Sequence, residues 1–445
     1  MSTFIVLVFI IGYIAITLEH QIKLDKLIPA LLMMALAWAG IAVGIDGFTS
    51  WFDPHESSLM DISSFSHENK LHLMESTLLH HFGKTSEILI FLMGAMTIVE
   101  MIDHFQGFNA IKKMIKTKNK KTLLWIICFL AFFLSAIIDN LTATIVLITI
   151  LRKIIHDSKD RMWYAGFIII AANAGGAWTP IGDVTTTMLW MAGKVSTGKL
   201  IMLLGIPSLI NILIPLIIGS FLNVFKGNVG GTEETVQERK YSSLMLYLGL
   251  ILIVFVPVFK TITHLPPYIG MMLSLSIFAI IAELISKRSF SLTDVTDTSH
   301  GHATSPTLRA LGKIEMPSVL FFLGILMTVA SLESLGLIFN FGQVVNASIS
   351  QNLFVTLLGV SSAIIDNVPL VAASIGMFQE VPDANVWHFI AYAAGTGGSM
   401  LIIGSAAGVV AMGMEKISFG WYLKNITLLA FLGYLCGIGA FILMA

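Results

Sequence analysis

Charge is what this sequence has least of. Only 12% of its 445 residues are Asp, Glu, Lys or Arg, about half the share of an ordinary soluble domain. A soluble chain of this length needs far more charge to cover its surface, so a soluble enzyme is excluded. A basic excess is missing too, with 26 Lys+Arg against 27 Asp+Glu, which excludes a nucleic-acid binder. Cysteine is nearly absent. Cys128 and Cys436 both sit in apolar runs, too few for a disulfide framework or a zinc pattern, and read as small packing residues. No His-Glu-x-x-His, Gly-x-Ser-x-Gly or Asp-rich phosphate motif occurs, so nothing argues for an intramembrane enzyme. What is present is apolar: 56% of the chain. That share excludes a disordered chain and points to a polytopic membrane protein in a lipid bilayer. The first apolar segment, Phe4 to Leu18, follows no positive n-region and shows no small-residue cleavage pattern. It is expected to be a retained membrane helix rather than a signal peptide.

Ten apolar runs stand at roughly 3–18, 27–45, 85–102, 163–192, 200–225, 243–259, 268–286, 316–334, 387–413 and 421–444. Most approach the ~20 residues that cross a hydrocarbon core. Two further apolar regions, 122–151 and 352–378, are interrupted at their centres by Asp139-Asn140 and Asp366-Asn367. The arms of the first, Leu123–Leu134 and Leu141–Leu151, would be roughly 18 and 16 Å long, about half a bilayer each. Lys112, Lys113, Lys116, Lys118, Lys120 and Lys121 precede it, and Arg152, Lys153, Lys159 and Arg161 follow it. Basic loops stay cytoplasmic, so both ends lie on one side and the segment must be a re-entrant hairpin. Residues 340–351 contain no Lys or Arg, and 379–385 contain Glu380 and Asp383, so the second hairpin is expected to enter from outside.

The other loops fit the same orientation, with Lys194, Lys199 and Lys260 as minor exceptions near an external edge. Lys23, Lys26, Lys226, Arg239, Lys240, Lys287, Arg288, Arg309 and Lys313 fall inside, while residues 46–83, with six acids, fall outside. Both termini are then external. The expected division is 1–84, N-terminal helices and an external polar loop; 85–225, a first repeat; 226–315, linking helices and cytoplasmic loops; and 316–445, a second repeat.

The repeats are visible in the residues. Ser135-Ala-Ile-Ile-Asp139-Asn140 recurs as Ser362-Ala-Ile-Ile-Asp366-Asn367. Ala171-Ala-Asn173-Ala-Gly175-Gly176 is matched by Ala393-Ala-Gly395-Thr396-Gly397-Gly398, with Gly182 and Gly404 six residues beyond. Gly-Gly pairs and Pro180 disfavour continuous helices, so 163–192 and 387–413 are expected to be broken. The expected fold is an all-α membrane protein with an inverted-topology repeat, two re-entrant hairpins and two broken helices, an arrangement that marks secondary transporters.

A carboxylate at mid-bilayer costs roughly 2.5–3.5 kcal/mol on insertion scales, so it persists where it has a partner or a task. Asp139 and Asp366 occupy the two tips, and Asp183 follows the first break. Asn140, Asn367, Ser135, Ser362, Thr142, Asn173, Thr185 and Thr186 add neutral oxygens, and Thr396, Ser399 and Ser405 stand in or beside the second break. Ser405 is the repeat partner of Asp183, so the site is expected to be asymmetric. Three carboxylates and no matched Arg or Lys suit a small hard cation. A dry setting disfavours an uncompensated carboxylate charge, so one site holds either a cation or protons, the physical basis of exchange.

Other acids are less telling. Glu87 and Glu100 on the helix before the first hairpin are accessory candidates. Glu100 aligns with Ala330, and Asp103 with Glu333. Glu19 and Glu283 stand near cytoplasmic helix ends, where solvation explains them. His55, His67, His72, His80 and His81 cluster in one segment. An exposed polar loop is the plainer reading, beside an external pH sensor or a metal site.

At the two Ser-Ala-Ile-Ile-Asp-Asn stretches the chain resembles the ion-transporter superfamily of arsenite, citrate and dicarboxylate carriers. It resembles more closely the NhaD-type sodium/proton antiporters, through Ser86-Glu87-Ile-Leu, Gly94-Ala-Met-Thr-Ile-Val-Glu100, Asp139-Asn140-Leu-Thr142, Asn173-Ala-Gly-Gly-Ala-Trp178-Thr-Pro180-Ile-Gly-Asp183-Val-Thr185-Thr186 and Asp366-Asn367-Val-Pro369. The resemblance implies exchange of cytoplasmic Na⁺ or Li⁺ for external protons in a bacterial inner membrane, with no resident cofactor. It also implies a homodimer with a scaffold around two moving transport domains. Ion and proton sites are implied at Asp139, Asn140, Thr142, Asn173, Asp183, Thr185, Thr186, Asp366 and Asn367. The residues leave open an organic-anion or arsenite carrier of the same fold. Carboxylates at the tips argue against it, because dicarboxylate carriers are expected to show Ser-Asn-Thr tips.

Overall fold

The structure, a computed structural model, describes residues 1–53, 58–115, 117–229, 241–290 and 305–445. His55, Lys116, Arg239 and Lys240 lie outside the described residues. A chain in lipid must satisfy its own backbone hydrogen bonds, and these apolar runs do so as helices. Among the described residues, seven helices are long and apolar enough to cross a membrane: His67–His104, Lys120–Ile138, Thr197–Gly219, Ser242–Thr263, Pro267–Ser286, Met316–Ser334 and Thr427–Met444. Lys120–Ile138 is a hairpin arm. The other six, the shorter apolar helices Ser2–Thr17 and Leu27–Val43, and two broken helices correspond to the ten expected crossings.

The first hairpin is defined by what its ends touch. Helix Lys120–Ile138 and helix Asn140–Ile154 both pack on helix Ser158–Gly176. At the base, Lys120 Nζ lies 2.5 Å from Asp160, and Arg161 donates to Ile155 O at 3.0 Å. At the tip, Ser135 donates to Ala172 O at 2.6 Å. Start and end therefore lie together, and the turn lies some four to five helical turns away. The first arm has 19 residues, roughly 28 Å. It exceeds the expected half-bilayer because the helix continues past both ends of the apolar run used to measure it, back to Lys120 and on to Ile138.

The second hairpin repeats the geometry. Helices Gln351–Ser361 and Asn367–Met377 meet at a base where Phe354 and Phe378 have ring centroids 5.8 Å apart and Phe378 lies edge-on to Trp387. At its tip Ser362 donates to Ala394 O at 2.9 Å. Glycine permits both contacts between hairpin arm and broken helix. A Cβ on Gly175 would stand 2.1 Å from Phe132 O, and one on Gly397 would stand 2.0 Å from Gly359 O.

The breaks cross between hairpins. After residues 177–183, helix Val184–Met191 runs to the base of the second hairpin, where Lys194 O accepts from Asp383 N at 2.8 Å and Lys194 Nζ sits 4.6 Å from the Trp387 ring centroid. After residues 399–405, helix Ala406–Glu415 runs to the base of the first. There Glu415, its side chain 1% exposed, accepts from Arg152 Nε at 2.7 Å and Arg161 Nε at 2.8 Å. The far halves of the two broken helices thus run to opposite hairpin bases. Glu415→Gln removes the charge that holds both guanidiniums and is expected to cost about 2 kcal/mol, less than a fully buried pair because Arg152 reaches solvent. A detergent unfolding midpoint equal to wild type would show that this ion pair does not contribute.

Thr197–Gly219 and Thr427–Met444 pack on each other and on the broken helices, while most of the other helices form a second body. Leu27–Val43 packs on Ser2–Thr17 and Met316–Ser334, and His67–His104 packs on Pro267–Phe290 and Met316–Ser334. The segment expected to be an exposed polar loop is built. Residues 50–53 and 58–61 pair as a two-stranded antiparallel ribbon, a small departure from an all-α chain. Ser66 caps the next helix by accepting from Asn69 N at 3.3 Å. That helix, His67–His104, has 38 residues and spans about 57 Å, so it continues well beyond the apolar stretch. Lys70 is buried and donates to Phe48 O at 2.8 Å. Trp51 donates to Thr77 Oγ1 at 3.1 Å. Glu283 accepts from Thr307 Oγ1 at 3.0 Å, a bonded role in place of the expected solvated one.

Candidate functional site

The two tips and the first break meet at one point. Asp183, the residue before helix Val184–Met191, is 4% exposed. Its carboxylate accepts from Thr185 Oγ1 at 2.5 Å, from Asn140 Nδ2 at 3.4 Å and from Asn367 Nδ2 at 3.0 Å. One carboxylate is therefore bonded by an amide from each hairpin tip. Asn140 also donates to Asn173 Oδ1 at 3.2 Å, and Asn173 donates to Ser405 Oγ at 3.1 Å. The second break thereby joins the cluster through the residue equivalent to Asp183.

Asp139 begins helix Asn140–Ile154. Its Oδ1 accepts from Thr142 N and its Oδ2 from Thr142 Oγ1, both at 2.8 Å. Its backbone takes φ 80°, ψ 158°, a region essentially limited to glycine that costs a residue with a Cβ about 1–3 kcal/mol. The two bonds to Thr142 hold the turn in place. Asp366 starts its helix with ordinary extended torsions and accepts from Val368 N at 3.3 Å. Asp139, Asp183, Asp366, Asn140 and Asn367 line one cavity of about 60 Å³. That is room for a small ion with a few waters, since one water needs about 10–15 Å³ on this measure. Among the described residues no three His, Cys, Asp or Glu side chains stand close enough to hold a metal ion together. The three carboxylates share a cavity without closing on one point.

Other predicted residues play different parts. Ser135 and Ser362 use their hydroxyls to tie each tip to its broken helix. Thr186 donates to Asp183 O at 2.9 Å, within its own turn. Thr396 donates to Tyr392 O and Ser399 to Thr396 O, so both cap backbone in the second break. Glu87 lies 4.0 Å from Lys84 and lines a separate cavity of about 300 Å³ with His80, His81, Lys194 and Glu333. Glu100 has Asp103 and Lys313 as charged neighbours and does not line the central cavity.

One feature overturns an expectation. The site was expected to lack a matched Arg or Lys, yet Lys26 Nζ lies 3.4 Å from Asp366 Oδ2 and the residue lines the central cavity. Lys26 reads as an orientation signal in the sequence. The turn before helix Leu27–Val43 carries it under Phe321, with its ammonium 4.5 Å from the ring centroid.

Comparison with known proteins agrees with this architecture. The citrate transporter family CitMHS matches residues 6–388. A curated relative, "Sodium/proton antiporter 1" of Arabidopsis thaliana, is 40% identical over 98% of this chain and 71% of its own. The "Na(+)/H(+) antiporter NhaD" of Vibrio cholerae is 31% identical over 97% of this chain and 89% of its own. Among solved structures, the Alcanivorax borkumensis YdaH transporter matches 92% of this chain and 96% of its own, with TM-score 0.60 and 12% identity, a likeness of fold.

Proposed function

The chain belongs to the CitMHS citrate transporter family and to its sodium/proton antiporters, and we propose how it works as one. Cytoplasmic Na⁺ or Li⁺ is exchanged for external protons at the cavity lined by Asp139, Asp183 and Asp366, which opens alternately to the two sides. The observation that carries this reading is the Asp183 carboxylate bonded by Asn140 and Asn367. A protonated carboxyl and a cation-bound carboxylate make different demands on those amides, so loading at Asp183 bears on both tips at once. Thr142 and Thr185 bond the Asp139 and Asp183 carboxylates, Asn173 links Asn140 to Ser405, and Thr186 holds the turn at Asp183. Hard oxygen donors favour a hard cation over an organic anion, and Lys26, already paired with Asp366, leaves no free cationic group there for an anion.

The division into two repeats with linking helices between them, the external placement of both termini, the bacterial inner membrane and a homodimer complete the proposal. Support for the orientation comes from the loops: the first hairpin's base carries Lys120, Arg152 and Arg161, whereas the second hairpin's base carries Asp383 with only Lys194 and Lys199 beside it. Proteoliposomes holding an internal pH dye test the exchange. Added Na⁺ or Li⁺ is expected to dissipate an imposed proton gradient, and no response to either ion defeats the reading. Labelled dicarboxylate taken up instead would favour the organic-anion alternative. Asp139→Asn is expected to lower exchange by at least about tenfold in a protein that still inserts, the lower end of what losing a site's supporting group costs. Wild-type flux in that variant would take Asp139 out of the mechanism.

A further inference from the structure

The Lys26–Asp366 pair separates two cavities. One is the central cavity of about 60 Å³. The other, of about 340 Å³, is lined by Tyr13, Thr17, Glu19, Ile403 and Phe419, and both have Lys26 and Asp366 in their walls. The pair is only partly withdrawn from solvent, its side chains being 27% and 19% exposed. Lys26 is held by no side-chain acceptor other than Asp366 among the described contacts. Its ammonium rests on the Phe321 ring face instead, a contact that fixes position without competing for the charge. Glu19, in the short helix Glu19–Ile22 that begins two residues after Thr17, lines the larger cavity together with Lys26.

We infer that Lys26 is a built-in competitor of the transported cation, and that the 340 Å³ cavity is the path by which that cation reaches Asp366. This rests on the antiport reading of the same site. An ammonium is a compact single positive charge, the same charge as Na⁺. Two such charges on one carboxylate in a partly desolvated space repel strongly, so cation and ammonium occupy Asp366 in turn. When the cation arrives, the Lys26 head withdraws into the larger cavity, where Glu19 offers it an opposite charge. When the cation leaves, Lys26 returns and the carboxylate is never left bare. The site keeps the same charge whether loaded or empty. The cavity is wide enough for the exchange, and the flexible four-carbon stem of lysine permits it without backbone movement.

The test compares Na⁺ concentrations for half-maximal proton flux at one pH, with ²²Na⁺ binding to detergent-purified protein as a readout independent of transport. Lys26→Gln is expected to lower the half-saturating Na⁺ concentration about fivefold, the size of one partly screened ion pair, in both measurements. Lys26→Arg keeps the charge and can grip the carboxylate with a two-pronged fork, so its half-saturating Na⁺ concentration is expected at or above the wild-type value. A purely structural tie between helix Leu27–Val43 and the second hairpin predicts a lower unfolding midpoint with unchanged or weaker Na⁺ binding, and that result overturns the inference. Wild-type protein also answers the question without substitution. An amine-reactive acetylating reagent followed by mass spectrometry is expected to label Lys26 faster in Na⁺ than in choline, and equal labelling overturns the inference. Absence of any Na⁺- or Li⁺-dependent flux in the wild type defeats the antiport reading itself. Flux in the wild type with no effect at Lys26 defeats this inference alone.

Discussion

Asp183→Asn is expected to reduce cation-dependent proton flux at least about 100-fold, the upper range seen when a group that orders an ion site is lost. Three donors converge on this carboxylate, from Thr185, Asn140 and Asn367. An amide in its place offers one acceptor oxygen and turns its NH₂ toward another NH₂. One tip then loses its bond, and the group proposed to carry the proton is gone as well. Asp183→Glu separates the two losses. It keeps the charge but moves it outward by one methylene, so it should retain measurable exchange with weakened Na⁺ affinity. Proton flux in proteoliposomes, normalised to inserted protein, checks both variants. Flux near the wild-type rate in Asp183→Asn would remove the residue from the site, whatever its bonds.

Gly397→Ala is expected to destabilise the protein by about 3 kcal/mol, the upper end for overpacking a tight contact. A methyl at this position would meet the carbonyl of Gly359 at 2.0 Å. That neighbour is backbone and has no rotamer to yield. The equivalent contact in the other repeat, Gly175 against Phe132, predicts the same for Gly175→Ala. Gly439 provides the control. Nothing lies within 4 Å of its Cβ position, and Gly→Ala inside a helix is favourable by up to about 1 kcal/mol. Unfolding midpoints in detergent, with folded yield by size exclusion, measure all three. Equal midpoints for Gly397→Ala and Gly439→Ala would show that the close contact relaxes without cost.

Much of this architecture is legible because lipid makes a strong filter. An Asp-Asn pair inside an apolar run is conspicuous, and basic residues on both flanks of Asp139 admit one geometry, a hairpin. The repeated hexapeptide then locates the second hairpin. What escaped the sequence lies where that filter is silent. Residues 67–83 are too polar to read as a membrane helix, although Ser66 before His67 is a capping signal that marks a helix start. The ribbon strands are four residues each, too short for their alternation to register, and only Trp51 and Phe52 hinted at a buried anchor. Lys26 was hidden by its own plausibility: a lysine between two apolar helices already had a reason to exist. Its pairing with Asp366 spans 340 positions and depends on how the turn before Leu27 is placed, which no local pattern records. The distinct fates of Thr396 and Ser399, bonded to their own helix, likewise follow from the curvature of the second break and not from residue type.

The crossing of the breaks has a mechanical consequence. Each broken helix is seated backbone-to-backbone on one hairpin and delivers its far half to the base of the other, where Glu415 clasps Arg152 and Arg161 and Asp383 clasps Lys194 and Ser196. Force applied at either hairpin is therefore passed to the opposite end of the assembly. The four pieces behave like interlocked staves: none slides without dragging the others. On one side this assembly meets helices His67–His104 and Met316–Ser334 along a seam. There Lys26 and Asp366 form the described ion pair, so the carboxylate proposed to meet the cargo is also a latch on the seam.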